Sequence, residues 1–278
     1  MSSPNEEQIA YWNGRAGEKW SALQSSLDVM LAPASAKLKE RAGRGAGLRL
    51  LDIGCGTGET CAMWLAGGAD VTGVDVSEAM LALAGKRTQG KARLIQADAS
   101  TWKSEAPFDL AVSRFGVMFF DDPHRAFANL AQSVRPGGRL LFVCWRARAE
   151  NPWATVPLAA IQDLLPPSPP PAPHAPGPFG LADKPRLNDI LSRAGFEKIS
   201  IEPFDFPNCA AAEGGAEAGA NLMMQIGPSG AALSDVNVTD DVRAKARARL
   251  VAAFAPYENA GVVALPGATW VVEAVRAQ

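Results

Sequence analysis

Leu50–Thr60 reads LLDIGCGTGET, three alternating glycines directly after a short apolar run. An apolar run of this length ending in glycine reads as a buried strand that delivers the chain into a turn. Gly54, Gly56 and Gly58 let the backbone take positive φ and let a ligand lie against bare main chain. A helix is expected from about Gly58 to Leu65, and the start of a helix offers unpaired N–H groups. The stretch therefore asks for a ligand that approaches the backbone beyond the carboxyl end of a strand.

A dinucleotide fits this spacing poorly. Its fingerprint is GxGxxG, and the third glycine would fall where Glu59 stands. An acid at a helix N-terminus also opposes a pyrophosphate. The pattern here is DxGxGxG, with Asp52 two residues before the first glycine. Asp52 suits a cationic amine, as in an amino-acid tail. Asp75 closes the next apolar run, ADVTGVD, about twenty residues on, where a carboxylate can hold both ribose hydroxyls. Asp98 closes LIQAD, where it can accept the exocyclic amine of adenine. Three acids at three strand ends around a glycine turn describe a ligand with an amine, a ribose and an adenine.

Working outward, strand-length runs alternate with helical segments from Leu48 to Trp145. That rhythm implies an α/β fold, a doubly wound and mostly parallel sheet with right-handed crossovers. Ser77 reads as the N-cap of SEAMLALAGKR. Asp122 and Pro123 read as N-cap and first position of a helix ending near Val134. The turn Arg135–Gly138 is expected to stop that helix and start the strand GRLLFVCW. After Trp145 the rhythm breaks at PPSPPPAPHAPGP, residues 166–178, an extended polyproline-type linker or a rigid loop over a site. Helix and strand resume with ADKPRLNDILSRAGF and EKISIEPFDF. About sixty residues then precede the last strand-like run, TWVVEAVRA, against the usual six or fewer for a connection. They read as a helical cap.

The expected division is a helical lid over 1–45, a cofactor-binding core over 46–150 and a Pro-rich loop over 151–182. The core continues over 183–207, the cap spans 208–264, and a last core strand spans 265–278.

Composition narrows the classes. With 47% hydrophobic residues the 278-residue chain can bury a substantial core. The formal net charge of -2 gives no basic field for nucleic acid. No apolar run reaches the roughly eighteen residues of a membrane span, and MSSPNEEQIAYWNGRAGEKW is not read as a secretory signal. The four cysteines form no CxxC pair and there are two histidines, so no metal site is expected. Reduced thiols and a cytoplasmic location follow from the cysteine usage. Oligomeric state stays open, with a homodimer admitted.

LLDIGCGTGET, VTGVDVSEAML, LIQADAS, FDLAVSRFGVMFFDDP and VRPGGRLLFVCW together resemble the class I S-adenosylmethionine-dependent methyltransferases. The likeness is closest to the small-molecule group that includes the ubiquinone/menaquinone-type C-methyltransferases. It covers residues 48 to 146; beyond them the resemblance is one of general architecture.

The resemblance implies a Rossmann-like methyltransferase fold of seven strands and S-adenosyl-L-methionine as the cofactor. It implies that Gly54, Cys55, Gly56 and Gly58 line the methionine part, with Asp52 beneath. Asp75 would hold the ribose, Val76 and Met80 the adenine face, and Asp98 and Ala99 the adenine edge. Ser113, Arg114 and Phe115 would face the methionyl end and the substrate. Trp12 and Trp20, with Tyr11, would close over the sulfonium, a cation against aromatic faces. Read as helix anchors, the same three aromatics would simply hold the first helix on the core.

Relatives often carry a His-His pair before the Asp-Pro helix start; Met118 and Phe119 stand there, and neither takes a proton. The catalytic residue is therefore unassigned, with Arg114 and His124 as candidates. Arg114 could instead pair with Asp121 or Asp122, and His124 could be a surface residue. The implied chemistry is in-line methyl transfer driven by proximity and desolvation. Tyr11, Phe115, Met118, Phe119, Trp153 and Met223 are the candidate substrate contacts, for an apolar or aromatic small molecule. Two other classes remain: a non-catalytic S-adenosylmethionine-binding sensor or partner subunit, and an NAD-dependent oxidoreductase.

Overall fold

A computed structural model describes residues 5–43, 45–166, 172–234 and 238–278 of the chain. Residues 167–171 of the Pro-rich segment lie outside the described residues, so its expected extended geometry is not addressed there. The strands are β1 (Arg49–Ile53), β2 (Asp70–Asp75), β3 (Arg93–Gln96), β4 (Phe108–Arg114), β5 (Val134–Trp145), β6 (Phe196–Ala211), β7 (Glu258–Asn259) and β8 (Val262–Arg276). They form one sheet in the order β3-β2-β1-β4-β5-β8-β6, with β7 paired to β8. The first five strands pair in parallel, and β8 runs antiparallel to β5 and β6. Seven strands lie on the path as expected; the eighth, two-residue β7 is too short to leave a periodic signal.

The helices are α1 (Glu6–Asn13), α2 (Arg15–Ala22), α3 (Gln24–Ala42), α4 (Glu59–Ala66), α5 (Glu78–Arg87), α6 (Pro123–Ser133), α7 (Pro152–Ile161), α8 (Lys184–Arg193), α9 (Gly215–Met223), α10 (Gly227–Leu233) and α11 (Asp240–Phe254). Local chemistry sets several starts. Ser77 Oγ accepts the Met80 N–H at 3.4 Å to open α5, and Asp122 Oδ1 accepts the Arg125 N–H at 3.0 Å to open α6. Pro123 occupies the first turn of α6, where its missing N–H has no partner to lose. The centre of the sheet reads as near-continuous apolar runs because both its faces are covered. Leu50, Leu51, Val112, Leu140, Leu141 and Phe142 are fully buried.

Two expected boundaries move. The Arg135–Gly138 turn does not precede the strand; β5 already begins at Val134, paired with Phe108. Pairing is then irregular until Leu110 meets Arg139, and Gly137, at φ 72°, carries the turn as a bulge inside the strand. Similarly, β6 continues to Ala211 and β8 begins at Val262, both inside the span read as helical cap. Pro207 and Asn208 stand at the expected boundary between core strand and cap. They are tolerated because β6 is the edge strand, where a missing ladder donor can face outward. The hairpin of β6 and β8 thus overhangs the sheet. α9 packs against both of its strands, α11 against α9 and α7, and α10 against α7.

Candidate active site

Strand order reverses between β1 and β4, which places a crevice beyond their carboxyl ends. The glycines after β1 are demanded by that crevice. Gly54 has φ 65°, and a Cβ there would stand 2.8 Å from Gly116 Cα in the turn after β4. Gly58 has φ 78° and opens α4; a Cβ there would stand 2.7 Å from Ala84 Cβ of α5. A cavity of about 1210 Å³ extends from this turn. An ordinary small-molecule site holds about 300–1,000 Å³, so this one has room for two ligands side by side.

Gly54, Cys55 and Gly56 form one end of the cavity, with Asp75, Val76 and Met80 beside them and Asp98 and Ala99 next. Asp75 Oδ2 accepts the Gly56 N–H at 2.8 Å and Oδ1 accepts the Ser77 N–H at 2.9 Å. Burial pushes its carboxyl above the usual range, and those backbone bonds oppose the rise. Each oxygen keeps a further lone pair for a hydroxyl donor. Asp98 Oδ1 accepts the Ser100 N–H at 2.9 Å and Asn5 Nδ2–H at 3.2 Å, while Oδ2 accepts the Ser100 hydroxyl at 2.6 Å. Asn5 Oδ1 in turn accepts the Asp121 N–H at 3.2 Å. Asn13 Nδ2 donates to the Val76 carbonyl at 2.9 Å. These two asparagines fasten the two ends of α1 to the cavity wall beside Asp98 and Val76, and neither was singled out in sequence.

Aromatic side chains line the remaining wall. Trp12 meets Tyr11, Trp20 and Phe119 edge-on at 5.2, 5.6 and 5.1 Å between ring centroids. All four line the cavity, although Tyr11 is 52% exposed. Phe115 stacks on Trp145 at 4.5 Å and 11°, and Trp145 meets Trp153 at 4.7 Å. Phe115 reaches that stack from a backbone at φ 64°, a left-handed conformation unusual for a bulky residue. Met118 also faces the cavity, and its Sδ accepts the Trp145 N–H at 3.4 Å.

Arg114 lines the cavity but pairs with neither Asp121 nor Asp122. Its Nη1 donates to Glu59 Oε2 at 2.8 Å and to Ser35 Oγ at 2.9 Å, and Ser35 Oγ donates to the same Glu59 oxygen at 2.8 Å. The pair forms because Glu59 starts α4 directly across the crevice from the end of β4, a proximity that sequence distance hides. Arg114 also offsets the charge by which Glu59 was expected to repel a phosphate.

Five expected site residues lie off the cavity wall. Asp52 is buried beneath the turn, with Thr60 Oγ1–H at 2.5 Å and Cys61 Sγ–H at 3.3 Å donating to Oδ2, and its side chain offers no face to an amine. Gly58 is used to pack α4 on α5. Ser113 Oγ donates to the Ile53 carbonyl at 2.8 Å and accepts the Gly116 N–H at 3.1 Å, pinning β1 to the turn after β4. Met223 is interior to the cap. His124 is exposed in the first turn of α6, away from the cavity. Conversely, Asp28, Thr60, Trp145, Arg148 and Asn208 line the wall without having been singled out. Asp28, Arg148 and Asn208 sit on elements that sequence alone does not bring to the crevice, whereas Thr60 and Trp145 lie on segments already expected in the core.

A glycine turn at the strand-order switch, followed by carboxylates at or just past the ends of the next two strands, is the arrangement that the resemblance to class I S-adenosylmethionine-dependent methyltransferases implies. Residues 51–142 match the family model described as methyltransferase domain, and the chain carries such a domain. A malonyl-[acyl-carrier protein] O-methyltransferase of Pseudescherichia vulneris is 35% identical over 147 residues, 51% of this chain and 55% of that protein. An O-methyltransferase of Aspergillus sclerotiorum is 28% identical over 203 residues, 69% of each chain. The chain thus matches about half the length of the malonyl relative. Magnesium protoporphyrin IX methyltransferase from Synechocystis PCC 6803, solved with bound SAH, shares the fold at a TM-score of 0.56 and 15% identity, covering 98% of this chain and 99% of that one.

Proposed function

We propose that this chain moves the methyl group of S-adenosylmethionine to a small apolar or aromatic molecule. The observation that carries the reading is a single cavity that joins the glycine turn, Asp75 and Asp98 to a wall of Phe115, Trp145 and Trp153. Asp75 retains lone pairs for the ribose, Val76 and Met80 provide apolar faces for adenine, and the bare backbone of Gly54 and Gly56 admits the methionine part. When bound, S-adenosylmethionine supplies a methyl group already activated on a sulfonium. The chain's own part is to hold the acceptor in line and exclude water. Trp12, Trp20 and Phe119 are suited to both, since they close the cavity with rings that tolerate a cation.

Neither His124 nor His174 lines the cavity. Asp28 does, but Arg87 engages both of its carboxylate oxygens. Positioning and desolvation are therefore assigned most of the rate. The same reading places the protein in cytoplasmic small-molecule biosynthesis, without a nucleic-acid substrate. Four free cysteines and a net charge of -2 support it.

Isothermal titration with S-adenosylmethionine tests the reading. Binding is expected, with Asp75→Ala at least about tenfold weaker for loss of charge-assisted bonds. Labelled methyl should then enter the small-molecule fraction of a cell extract. No cofactor binding by the wild-type chain overturns it.

A further inference from the structure

We propose that Asn208 is a recognition residue for the methyl acceptor. Its carboxamide would pair with a neutral group that both donates and accepts a hydrogen bond, such as a phenolic hydroxyl on a flat aromatic frame. The identification of that ligand as the acceptor rests on the methyltransferase reading.

Asn208 lies on β6 opposite Leu265 of β8, in the overhanging part of the hairpin. It lines the cavity and is 1% exposed. Among the described residues, neither Nδ2 nor Oδ1 has a hydrogen-bond partner. Asn151, equally buried, shows that this fold can saturate a carboxamide. Its Oδ1 accepts from Ala268 N–H at 2.8 Å and Trp153 Nε1–H at 2.9 Å, and its Nδ2 donates to the Ala147 and Ala268 carbonyls. An amide buried without partners is unfavourable, and native chains rarely keep one. A ligand that completes it removes the penalty.

The surroundings define the ligand's frame. Phe206 points to the same side of β6 two residues earlier, and its ring centroid is 5.8 Å from that of Trp145. Gly267 stands opposite Phe206 on β8; a Cβ there would come within 3.2 Å of both Asn208 Cβ and Trp145 Cζ3. A bare α-carbon at that point leaves room for both the Asn208 and Trp145 side chains. A carboxylate would leave Oδ1 without a donor, and an ammonium would leave Nδ2 without an acceptor. One hydroxyl satisfies both atoms.

The test uses the full chain loaded with S-adenosylhomocysteine, with 2-naphthol and naphthalene as probes in equilibrium dialysis. Asn208→Leu is expected to weaken 2-naphthol about tenfold, the equivalent of about 1.4 kcal/mol, and to leave naphthalene unchanged or tighter. Affinity for S-adenosylhomocysteine should hold and the unfolding midpoint should not fall, because the Asn208 side chain makes no hydrogen bond among the described residues. Equal loss of both probes, or an Asn208→Leu protein that still prefers 2-naphthol, overturns the proposal. Should that variant fail to fold, Asn208→Ala is read by the same ratio. Failure of the wild type to bind S-adenosylhomocysteine would instead overturn the methyltransferase reading, and dialysis on the unloaded chain would still decide the role of Asn208.

Discussion

Replacing Asp52 with Asn should change how stability depends on pH, by an amount the structure fixes. The Asp52 carboxylate is 1% exposed, and Oδ1 has no partner among the described residues. Burial pushes its pKa from 3.8 to about 6, against the opposing bonds from Thr60 and Cys61 and the charge of Arg114. The folded chain therefore holds this proton more tightly than the unfolded chain does. Below pH 3.8 both states are protonated and nothing is lost. Between 3.8 and about 6 the unfolded chain releases its proton first, so stability falls as pH rises. Above that window the full penalty stands, about 3 kcal/mol at roughly 1.36 kcal/mol per pKa unit. Asn does not ionise. The stability of Asp52→Asn minus that of the wild type should thus grow by about 3 kcal/mol across the window. Urea unfolding followed by tryptophan fluorescence measures it. The offset at low pH absorbs any cost of the new amide N–H groups, and only the change with pH is diagnostic. A difference that stays flat, or that moves toward the wild type as pH rises, refutes the reasoning.

Gly58→Ala would force a side chain onto a backbone at φ 78° and a Cβ to 2.7 Å from Ala84 Cβ. A loss of about 2 kcal/mol or more is expected in urea unfolding, and an unchanged midpoint would contradict it. Trp12→Ala removes edge contacts to Tyr11, Trp20 and Phe119, each pair worth about 0.5–1.5 kcal/mol. Faster release of S-adenosylhomocysteine in stopped flow is the expected result, and an unaltered rate would show that these rings anchor a helix without closing a site.

The placement of the glycine turn, Asp75 and Asp98 along one cavity was legible because its signals are local. Glycines follow a strand directly, Asp75 closes β2 and Asp98 lies two residues past the end of β3, so chain order carries spatial order. Ser77 and Asp122 announced their helices because capping is settled within three residues. What stayed hidden depends on contacts between distant segments. Asp52 looked like an amine acceptor by its place in the motif, but side chains alternate across a strand and its own points under the turn. Glu59 was read as a charge opposing phosphate; its neutraliser, Arg114, lies at the end of β4. Asn208 opened the span expected as cap, since its pairing with Leu265 of β8 joins residues far apart in the chain. Asn5 and Asn13 reach across the chain to Asp98, Asp121, Val76 and Glu78, which no spacing rule connects to them.

The long hairpin of β6 and β8 divides labour within the molecule. In the proposed function the nucleoside is held at the ends of β1, β2 and β3, whereas Asn208, Phe206 and Gly267 belong to strands at the opposite margin of the same sheet. On the proposed reading, substitutions there retune acceptor choice without touching Asp75 or Asp98. Evolution, or an engineer, can therefore exchange one half of the reaction without renegotiating the other.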